Sequence, residues 1–219
     1  MIKIHREGYR IFSILSVSLL IIAVIAAILL SELKWILVPV IIFILSCILF
    51  MARFFRIPNR KTIFHDGILY SPADGKIVVI EETFENEFLK ENRIQVSIFM
   101  SVWDVHINFF PFQGKVIQSI YHPGRFLVAR HPKSSTMNER TSILIENENK
   151  VQILLRQIAG IVARRIVCYA KPGLNFRAGE ELGFIKFGSR VDIFLPVSAE
   201  ILVQAGEQVY GSLTPIAKF

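Results

Sequence analysis

A glycine-serine step interrupts a strand-like region near the end of the chain. Residues 182–186 and 191–195 are strand-like, and Gly188 and Ser189 lie between them without an Asn, Asp or Pro. Glycine adopts backbone angles that other residues avoid, and it lets another group approach its carbonyl closely. The Ser189 hydroxyl could therefore add to that carbonyl, form an ester and, after elimination, cut the chain. The new terminus would become dehydroalanine and then a pyruvoyl ketone, which condenses with amines and accepts electrons. A β-bulge with an ordinary serine is the alternative.

Two further residues have the types that acid-base chemistry needs. His106 follows Asp104 at a spacing of two, so in a strand both side chains would share a face and the carboxylate could orient the imidazole. Asp74 lies in the sequence Pro-Ala-Asp-Gly, and its carboxylate could orient and charge-stabilise a histidine. The alternatives are an ordinary Asp-Gly turn at Asp74 and a core or surface histidine at position 106.

Short strands dominate the region that must position these residues. Residues 93–98 alternate apolar and polar as a half-buried strand does. Turn-forming sequences, including PADG, NENK and KPG, separate the strand-like runs, and only residues 84–90 have a weak helical pattern. The predicted strands are 76–80, 93–100, 115–121, 142–146, 151–156, 161–169, the two runs beside Gly188, and 201–204.

A short sequence echo gives a hint of the fold. Residues 177–183 (RAGEELG) and 204–211 (QAGEQVYG) share Ala-Gly-Glu, and each predicts a tight turn leading into a strand. Such hairpin pairs occur in β-sandwiches of the biotinyl and lipoyl type, although turn chemistry alone would also explain them. We predict a mainly β domain, an antiparallel sandwich or barrel with biotinyl/lipoyl-like hairpins.

The amino-terminal region is too apolar for a purely soluble protein. Residues 11–30 and 35–52 carry no charge, and each run is long enough to cross a bilayer as a helix. Pro39 lies in the second run, where a membrane helix tolerates it. A second apolar run directly after the first argues against a cleaved signal peptide. We therefore predict a two-helix membrane hairpin with basic flanks in residues 1–61 and a separate domain in residues 62–219.

The positive charge lies beside the apolar runs. Of the net charge of +7, residues 1–10 contribute +2 and residues 53–61 contribute +4, which leaves +1 for residues 62–219. Basic flanks on both outer sides predict that the domain lies on the cytoplasmic side of the cell membrane. The second flank, Arg53, Arg56, Arg60 and Lys61, would attract anionic membrane lipids and contact a lipid phosphate, or else act only as a topology determinant.

The sequence predicts neither nucleic-acid binding nor a metal site or disulfide. The charge distribution gives no basic footprint on the domain for nucleic acid. Cys47 lies in an apolar run and Cys168 in a strand-like run, and no Cys-x-x-Cys is present. We therefore predict no disulfide, no structural zinc and no other metal site.

Five motifs together resemble one enzyme family. They are SPADGKI (71–77), MSVWDVHINFFPFQGKV (100–116), YHPGRF (121–126), NERT (138–141) and FGSRVDIFLP (187–196). In order and spacing they are similar to the short, membrane-associated (archaeal/bacterial-type) form of the phosphatidylserine decarboxylase family, over residues 62–219. The order and spacing of the five motifs are far more specific than any one of them.

The resemblance implies a pyruvoyl-dependent decarboxylase in phospholipid biosynthesis. It implies autocatalytic cleavage of a zymogen between Gly188 and Ser189, which gives a β chain of residues 1–188 and an α chain of residues 189–219. Ser189 would become the covalently bound pyruvoyl group, which forms a Schiff base with phosphatidylserine. Loss of carbon dioxide and protonation would then give phosphatidylethanolamine. The αβ unit could pair further as a homodimer.

The resemblance also assigns roles to residues. Asp74, His106 and Ser189 would form the set that drives self-cleavage, with His106 as the main catalytic acid and base. Longer bacterial members carry a second histidine where this chain has Phe109, so His106 would serve both processing and turnover, or another residue would share the work. Residues 138–140 match a family signature that binds substrate or holds a loop. The other histidines near these motifs, His65, His122 and His131, are weaker candidates.

Two other functions remain open on the residues alone. A membrane-anchored, lipoyl-like adaptor without catalysis would explain the hairpins and the anchor but not the ordered Asp74, His106 and Ser189. The second is a serine hydrolase that uses Ser189, but the chain lacks the Gly-x-Ser-x-Gly elbow of such enzymes. A Ser-Lys hydrolase would need Lys186 beside Ser189. Three residues before Ser189 in a predicted strand, the Lys186 side chain would point to the opposite face.

Overall fold

The computed structural model describes residues 3–30, 32–125, 137–160, 166–186 and 188–219. The chain divides into two compact units, Met1–Pro58 and Asn59–Phe219. The first contains two α-helices, and the second is built from antiparallel β-strands. The prediction of a mainly β domain preceded by a helical hairpin is confirmed.

The amino-terminal unit is a helical hairpin closed by a short pair of strands. Helices α1 (Arg6–Leu29) and α2 (Lys34–Phe54) are long and apolar enough to cross a membrane by length and composition. At the base of the hairpin, β1 (Lys3–Ile4) pairs with β2 (Arg56–Ile57). His5 caps α1, because its Nδ1 accepts a hydrogen bond from the Glu7 amide at 3.2 Å. The sequence patterns did not predict this closure.

The second unit contains one large sheet and two small ones. The large sheet has eight strands in the order β11-β7-β8-β9-β13-β5-β4-β15, and the small sheets have the orders β10-β12-β6 and β14-β16-β3. The strands are β3 (Ile68–Tyr70), β4 (Gly75–Glu85), β5 (Glu91–Met100), β6 (Ile107–Phe109), β7 (Gly114–His122), β8 (Arg140–Asn147), β9 (Gln152–Ala159), β10 (Ile166–Cys168), β11 (Asn175–Phe176), β12 (Glu181–Ile185), β13 (Ser189–Pro196), β14 (Glu200–Ile201), β15 (Gln208–Val209) and β16 (Pro215–Lys218).

The hydrophobic core lies between one face of the large sheet and the two small sheets. Alternate residues of β5, β8 and β13 face it, because successive side chains of a strand point to opposite sides. Val96, Ile98, Ile143, Val191 and Ile193 are all fully or almost fully buried there. The small sheets contribute residues such as Leu69, Leu182 and Ile216 to the same cluster.

The two Ala-Gly-Glu sequences form the same turn. Gly179 and Gly206 have φ angles of 78° and 92°, which L-residues rarely adopt. In each turn the glutamate carboxylate accepts a hydrogen bond from a main-chain amide three residues earlier, at 3.1 Å for Glu180 and 3.0 Å for Glu207. Strands β12 and β15 follow, so the prediction of tight turns leading into strands is confirmed.

The weak helix predicted for residues 84–90 is wrong. Strand β4 continues to Glu85, and a turn then leads into β5. The buried Glu85 carboxylate accepts hydrogen bonds from the amides of Glu87, Phe88 and Leu89. These bonds satisfy the turn amides, so no helix is needed to pair them. The predicted strand 161–169 is observed only as β10, and residues 161–165 lie outside the described residues.

The tip of the β4–β5 hairpin folds across the outer face of the large sheet. There Glu87 reaches three other strands. Its carboxylate lies 2.5 Å from Nε2 of His122, 2.9 Å from Nη2 of Arg156 and 3.2 Å from Oγ of Ser142. Burial lowers the pKa of His122, Arg140 and Arg156 lower it further, and the Glu87 carboxylate raises it only in part.

Stability should therefore fall at mildly acidic pH because of His122. Its folded-state pKa is depressed, so as the pH falls through the ordinary histidine value of about 6.5 the unfolded chain takes up a proton first. We expect the thermal midpoint in detergent to fall more between about pH 7.5 and about pH 5.5 in the wild type than in His122→Gln. The exposed His65 provides the control, since His65→Gln should keep the wild-type slope. An unchanged slope in His122→Gln would show that His122 contributes no pH dependence.

Candidate active site

The Gly188-Ser189 step is the point where the chain changes sheets. Strand β12 ends at Ile185 in a small sheet, and β13 begins at Ser189 in the centre of the large sheet. Gly188 has a φ of 62°, in the left-handed region. A Cβ atom there would meet nothing within 4 Å, so the requirement for glycine is conformational. The interruption between the two strand-like runs is therefore the point where the chain passes from a small sheet to the large one.

Ser189 is fully buried at the start of β13. It pairs with Met100 of β5 on one side and with Ala159 of β9 on the other. Its hydroxyl donates a hydrogen bond to Sδ of Met100 at 3.2 Å. A thioether is a weak acceptor, so this bond holds the hydroxyl only lightly in its buried position.

His106 is buried just before β6, next to the strand that leads into the bend. Its main-chain carbonyl accepts a hydrogen bond from the Ile185 amide at 3.2 Å, three residues before Gly188. Its Nδ1 lies 3.1 Å from the main-chain oxygen of Asp104. A carbonyl can only accept, so Nδ1 carries a proton, and in the neutral tautomer the basic lone pair lies on Nε2.

The predicted orientation of His106 by the Asp104 carboxylate is wrong. Residues 101–106 form a loop, and the strand begins only at Ile107, so the two side chains do not share a strand face. The carboxylate turns back to accept hydrogen bonds from the amide and hydroxyl of Ser101, at 2.8 and 2.7 Å. The main-chain carbonyl of Asp104 contacts the imidazole instead.

Asp74 lies at the same end of the large sheet as Ser189. Lys76 and Arg190 both pair with Phe99, from the two sides of β5. Asp74 is two residues before Lys76 and Ser189 one residue before Arg190, so both lie at the end of their strands. Strands β4 and β13 are separated by β5 alone, which places them about 10 Å apart.

The contacts of Asp74 are with a cation rather than with an imidazole. Its side chain is 4 % exposed, and Arg60 donates to both carboxylate oxygens at 2.6 Å. The amide of Gly211 donates to Oδ1 at 2.8 Å. Within the described part of the chain, these are the hydrogen bonds that the Asp74 carboxylate makes. The predicted contact of Asp74 with a histidine is not among them.

Buried side-chain amides surround this end of the sheet, and the sequence motifs did not single out two of them. Asn108 follows His106 by two residues and donates to Sδ of Met100 at 3.7 Å, and Gln157 donates to the Asn108 oxygen at 2.7 Å. Asn138 donates to the carbonyl of Ala159 at 2.7 Å, next to Ser189. The alternation of strand residues could have placed Asn108, but no local pattern places Gln157.

The other candidates lie in different surroundings. His65 is exposed in the loop before β3, and His122 is paired with Glu87. His131 lies outside the described residues. Lys186 lies in the bend between β12 and β13, so the strand alternation by which the sequence placed it on the opposite face from Ser189 does not apply. In the ranges that the structure describes, no cluster of three or more His, Cys, Asp or Glu residues could hold a metal ion.

The glycine at position 183 fixes the strand that leads into the bend. A Cβ atom there would lie 2.2 Å from the carbonyl oxygen of Val167 and 2.8 Å from Nε2 of Gln157. We expect Gly183→Ala to lower the free energy of unfolding by about 1–3 kcal/mol, because β10 and Gln157 must move. Denaturant unfolding in detergent would measure this change.

Gly173 is the matched control for that substitution. Its φ is 87°, and a Cβ atom there would have nothing within 4 Å. Gly173→Ala should therefore cost only the left-handed backbone term of about 1–2 kcal/mol and leave unchanged the self-cleavage that the family resemblance implies. Slower self-cleavage in Gly183→Ala alone is expected. Equal behaviour of the two variants in both assays would contradict the contact.

Two cavities formed by the described residues do not contain the three candidate residues. Their volumes are about 440 Å³ and about 430 Å³, and both border Asn147 and Glu148 at the opposite end of β8 from Arg140. The candidate site is thus a set of buried polar residues at one end of the large sheet: a serine that follows a left-handed glycine, a histidine, and a carboxylate paired with Arg60. These groups can supply a nucleophile, a proton acceptor and a fixed negative charge.

Comparisons with known proteins identify what the chain is similar to. The family model described as phosphatidylserine decarboxylase matches residues 48–217. A phosphatidylserine decarboxylase proenzyme of Cytophaga hutchinsonii is 45 % identical over 216 residues, covering 99 % of this chain and 98 % of the relative. That of Amoebophilus asiaticus is 45 % identical over 220 residues, covering 100 % and 97 %. That of Parabacteroides distasonis is 50 % identical over 176 residues, covering 79 % and 80 %.

Proposed function

Because this chain belongs to the phosphatidylserine decarboxylase family, we propose that it converts phosphatidylserine to phosphatidylethanolamine and carbon dioxide. The proposal includes prior self-cleavage between Gly188 and Ser189. The observation that carries it is the left-handed bend at Gly188, next to a buried serine and close to His106. Relatives described as proenzymes, aligned over nearly the whole chain, support the same conclusion.

Self-cleavage follows from the chemistry of the bend. Oγ of Ser189 adds to the Gly188 carbonyl carbon as its proton passes to a base, and the peptide C–N bond then breaks to give an ester and a free amine. Removal of the Ser189 Cα proton expels Gly188 as a carboxylate. One water then hydrolyses the resulting enamine after tautomerisation, and ammonia leaves. The products are a chain of residues 1–188 and a chain of residues 189–219.

His106 is the base that this scheme requires. Its Nδ1 faces the Asp104 carbonyl, so in the neutral tautomer Nε2 is the basic nitrogen. The ring is held from two sides, because its main chain is bonded to Ile185 and its Nδ1 to the loop. A general base in a fixed position typically contributes about 10²–10⁴-fold to a proton transfer.

The residues around Ser189 fit a pyruvoyl group at the start of the shorter chain. That ketone, when present, binds the substrate amine and takes up the electron pair of the breaking bond to the carboxylate. The site is buried, and the amides of Asn108 and Gln157 lie close to it as hydrogen-bonding groups. His106 would return a proton to the substrate carbon.

The amino-terminal helices fit a lipid substrate. Two helices of membrane-spanning length precede the β domain, so the enzyme would act where its substrate resides. We place the domain on the cytoplasmic side, next to anionic lipids, because the basic residues flank the hairpin on both outer sides. Further pairing of two αβ units stays a prediction.

The direct test is product formation by the full chain in vesicles that contain phosphatidylserine. We expect equal amounts of phosphatidylethanolamine and carbon dioxide, and none from Ser189→Ala. Two chains without product would show that the substrate is wrong. A single uncut chain without product would favour the adaptor.

A further inference from the structure

Arg60 has a role that its place in the basic flank does not suggest. The sequence grouped it with Arg53, Arg56 and Lys61 as a lipid-facing cation. Its side chain is instead only 14 % exposed. Two of its nitrogens donate to Asp74, and Nη1 also donates to the carbonyl of Gly211 at 2.7 Å. The guanidinium is therefore committed to the protein and cannot also bind a lipid phosphate in this arrangement.

Gly211 closes a ring of contacts around this ion pair. Its carbonyl accepts from Arg60 while its amide donates to Asp74, so three donors hold one carboxylate. A Cβ atom on Gly211 would lie 2.8 Å from the ring of Phe109. Only glycine lets this main chain come so close to both the ring and the ion pair.

Phe109 forms the floor of the same cluster. The guanidinium carbon of Arg60 lies 5.9 Å from the centre of the Phe109 ring, within the range of a cation-π contact. The neutral Phe109 ring thus lies beneath the Arg60 cation, which comes from the segment before β3.

We propose that Arg60 is a positioning residue for self-cleavage, which rests on the function proposed above and on the part in self-cleavage that the family resemblance gives to Asp74. A buried carboxylate is stable only when it is paired and hydrogen-bonded. Arg60 supplies both requirements and fixes the two oxygens of Asp74 by a planar, bidentate contact that a point charge cannot reproduce. Without it, Asp74 keeps only the Gly211 amide and leaves the position that it holds at the Ser189 end of the sheet.

The proposal predicts slow processing when Arg60 is shortened. In pulse-labelled full chain made in the presence of vesicles, we expect Arg60→Ala to slow the cut by about 100-fold, as a displaced site group does. Arg60→Lys should give an intermediate rate, since it restores the charge but not the second bond. Lys171→Ala is the control, because it removes an exposed positive charge of the β domain outside the basic flank and should process like the wild type.

Two readouts separate positioning from a merely structural role. Guanidinium ion, at concentrations far below those that unfold proteins, should restore cleavage to Arg60→Ala but not to Asp74→Asn. Adding Arg60→Ala to Asp74→Asn should slow the cut no further, because Arg60 acts through Asp74. If Arg60→Ala fails to fold, Arg60→Lys decides: slower cleavage at a nearly unchanged thermal midpoint is expected.

The outcomes are distinct. Wild-type rates in Arg60→Ala, or in Arg60→Lys where it decides, would overturn the proposal, as would a full additional loss in the double variant. An uncut wild-type chain would overturn the proposed function itself. The expected set is a cut wild type, a slow Arg60→Ala that guanidinium rescues, and a double variant equal to Asp74→Asn.

Discussion

Replacing Ser189 with alanine is expected to leave the protein as one uncut chain without decarboxylase activity. Alanine has no hydroxyl to add to the Gly188 carbonyl and no Cβ–O bond to break by elimination, so neither the cut nor the ketone can form. The loss should be complete, because no second serine lies at the bend. The side chain is fully buried and loses only a weak bond to Met100, so the fold should survive.

Two further variants sharpen that result. Ser189→Cys should still be cut, more slowly, because a thiol can add to the same carbonyl. Ser119→Ala, which changes a partly buried serine on β7, should be cut and remain active like the wild type. Denaturing gels of pulse-labelled protein would show each outcome. A cut at the same bond in Ser189→Ala would refute the role of its hydroxyl.

Replacing His106 with glutamine is expected to impair both self-cleavage and turnover. Glutamine can still donate a hydrogen bond to the Asp104 carbonyl, but it cannot accept and return a proton at neutral pH. Each reaction should slow by about 10²–10⁴-fold, the usual contribution of a general acid-base group. Rates of precursor loss would report the first effect. Product formed per mole of processed chain would report the second.

Comparison of the two rates shows whether His106 acts in self-cleavage, in turnover or in both. If His106 acts in both steps, the His106→Gln chains that have been cut should also decarboxylate the substrate slowly. A processed variant with wild-type turnover would confine His106 to self-cleavage and leave turnover to another group. His65→Gln, at an exposed histidine, should match the wild type in both assays.

The bend works as it does because of where the fold places it. Strand β13 lies in the centre of the large sheet between β9 and β5, and every residue from Ser189 to Phe194 pairs on both sides. Such a strand is supported on both sides, whereas β12, which ends at Ile185, belongs to another sheet. We therefore expect Ser189 to be held in place beside the left-handed turn at Gly188, an arrangement that would favour addition of its hydroxyl to the Gly188 carbonyl.

Local patterns sufficed for the parts of the fold that local forces decide. Alternation predicted the strand at residues 93–100, two uncharged runs predicted the helical hairpin, and repeated Ala-Gly-Glu predicted the two turns. The same patterns failed at residues 84–90, because three amide bonds to the Glu85 carboxylate stabilise a turn there. They also failed at Asp104, where Ser101 attracts the carboxylate.

The candidate site depended on contacts that no local pattern records. Ser189 and Met100 meet through strand pairing across 89 positions, and Gly211 meets Asp74 across 137. In the sequence, Arg60 is one of four basic residues of the same flank. In the structure, its side chain is largely buried and paired with Asp74. The motifs predicted which residues react, and the three-dimensional arrangement shows which groups contact those residues.

The intact mass of the purified protein under denaturing conditions tests the central claim most directly. We predict two chains, residues 1–188 and 189–219, with the second blocked to amino-terminal sequencing and lighter by one ammonia than a chain beginning with an unmodified Ser189. A single mass for the whole chain of 219 residues, from a folded preparation, would contradict self-cleavage at Gly188-Ser189 and with it the decarboxylase mechanism.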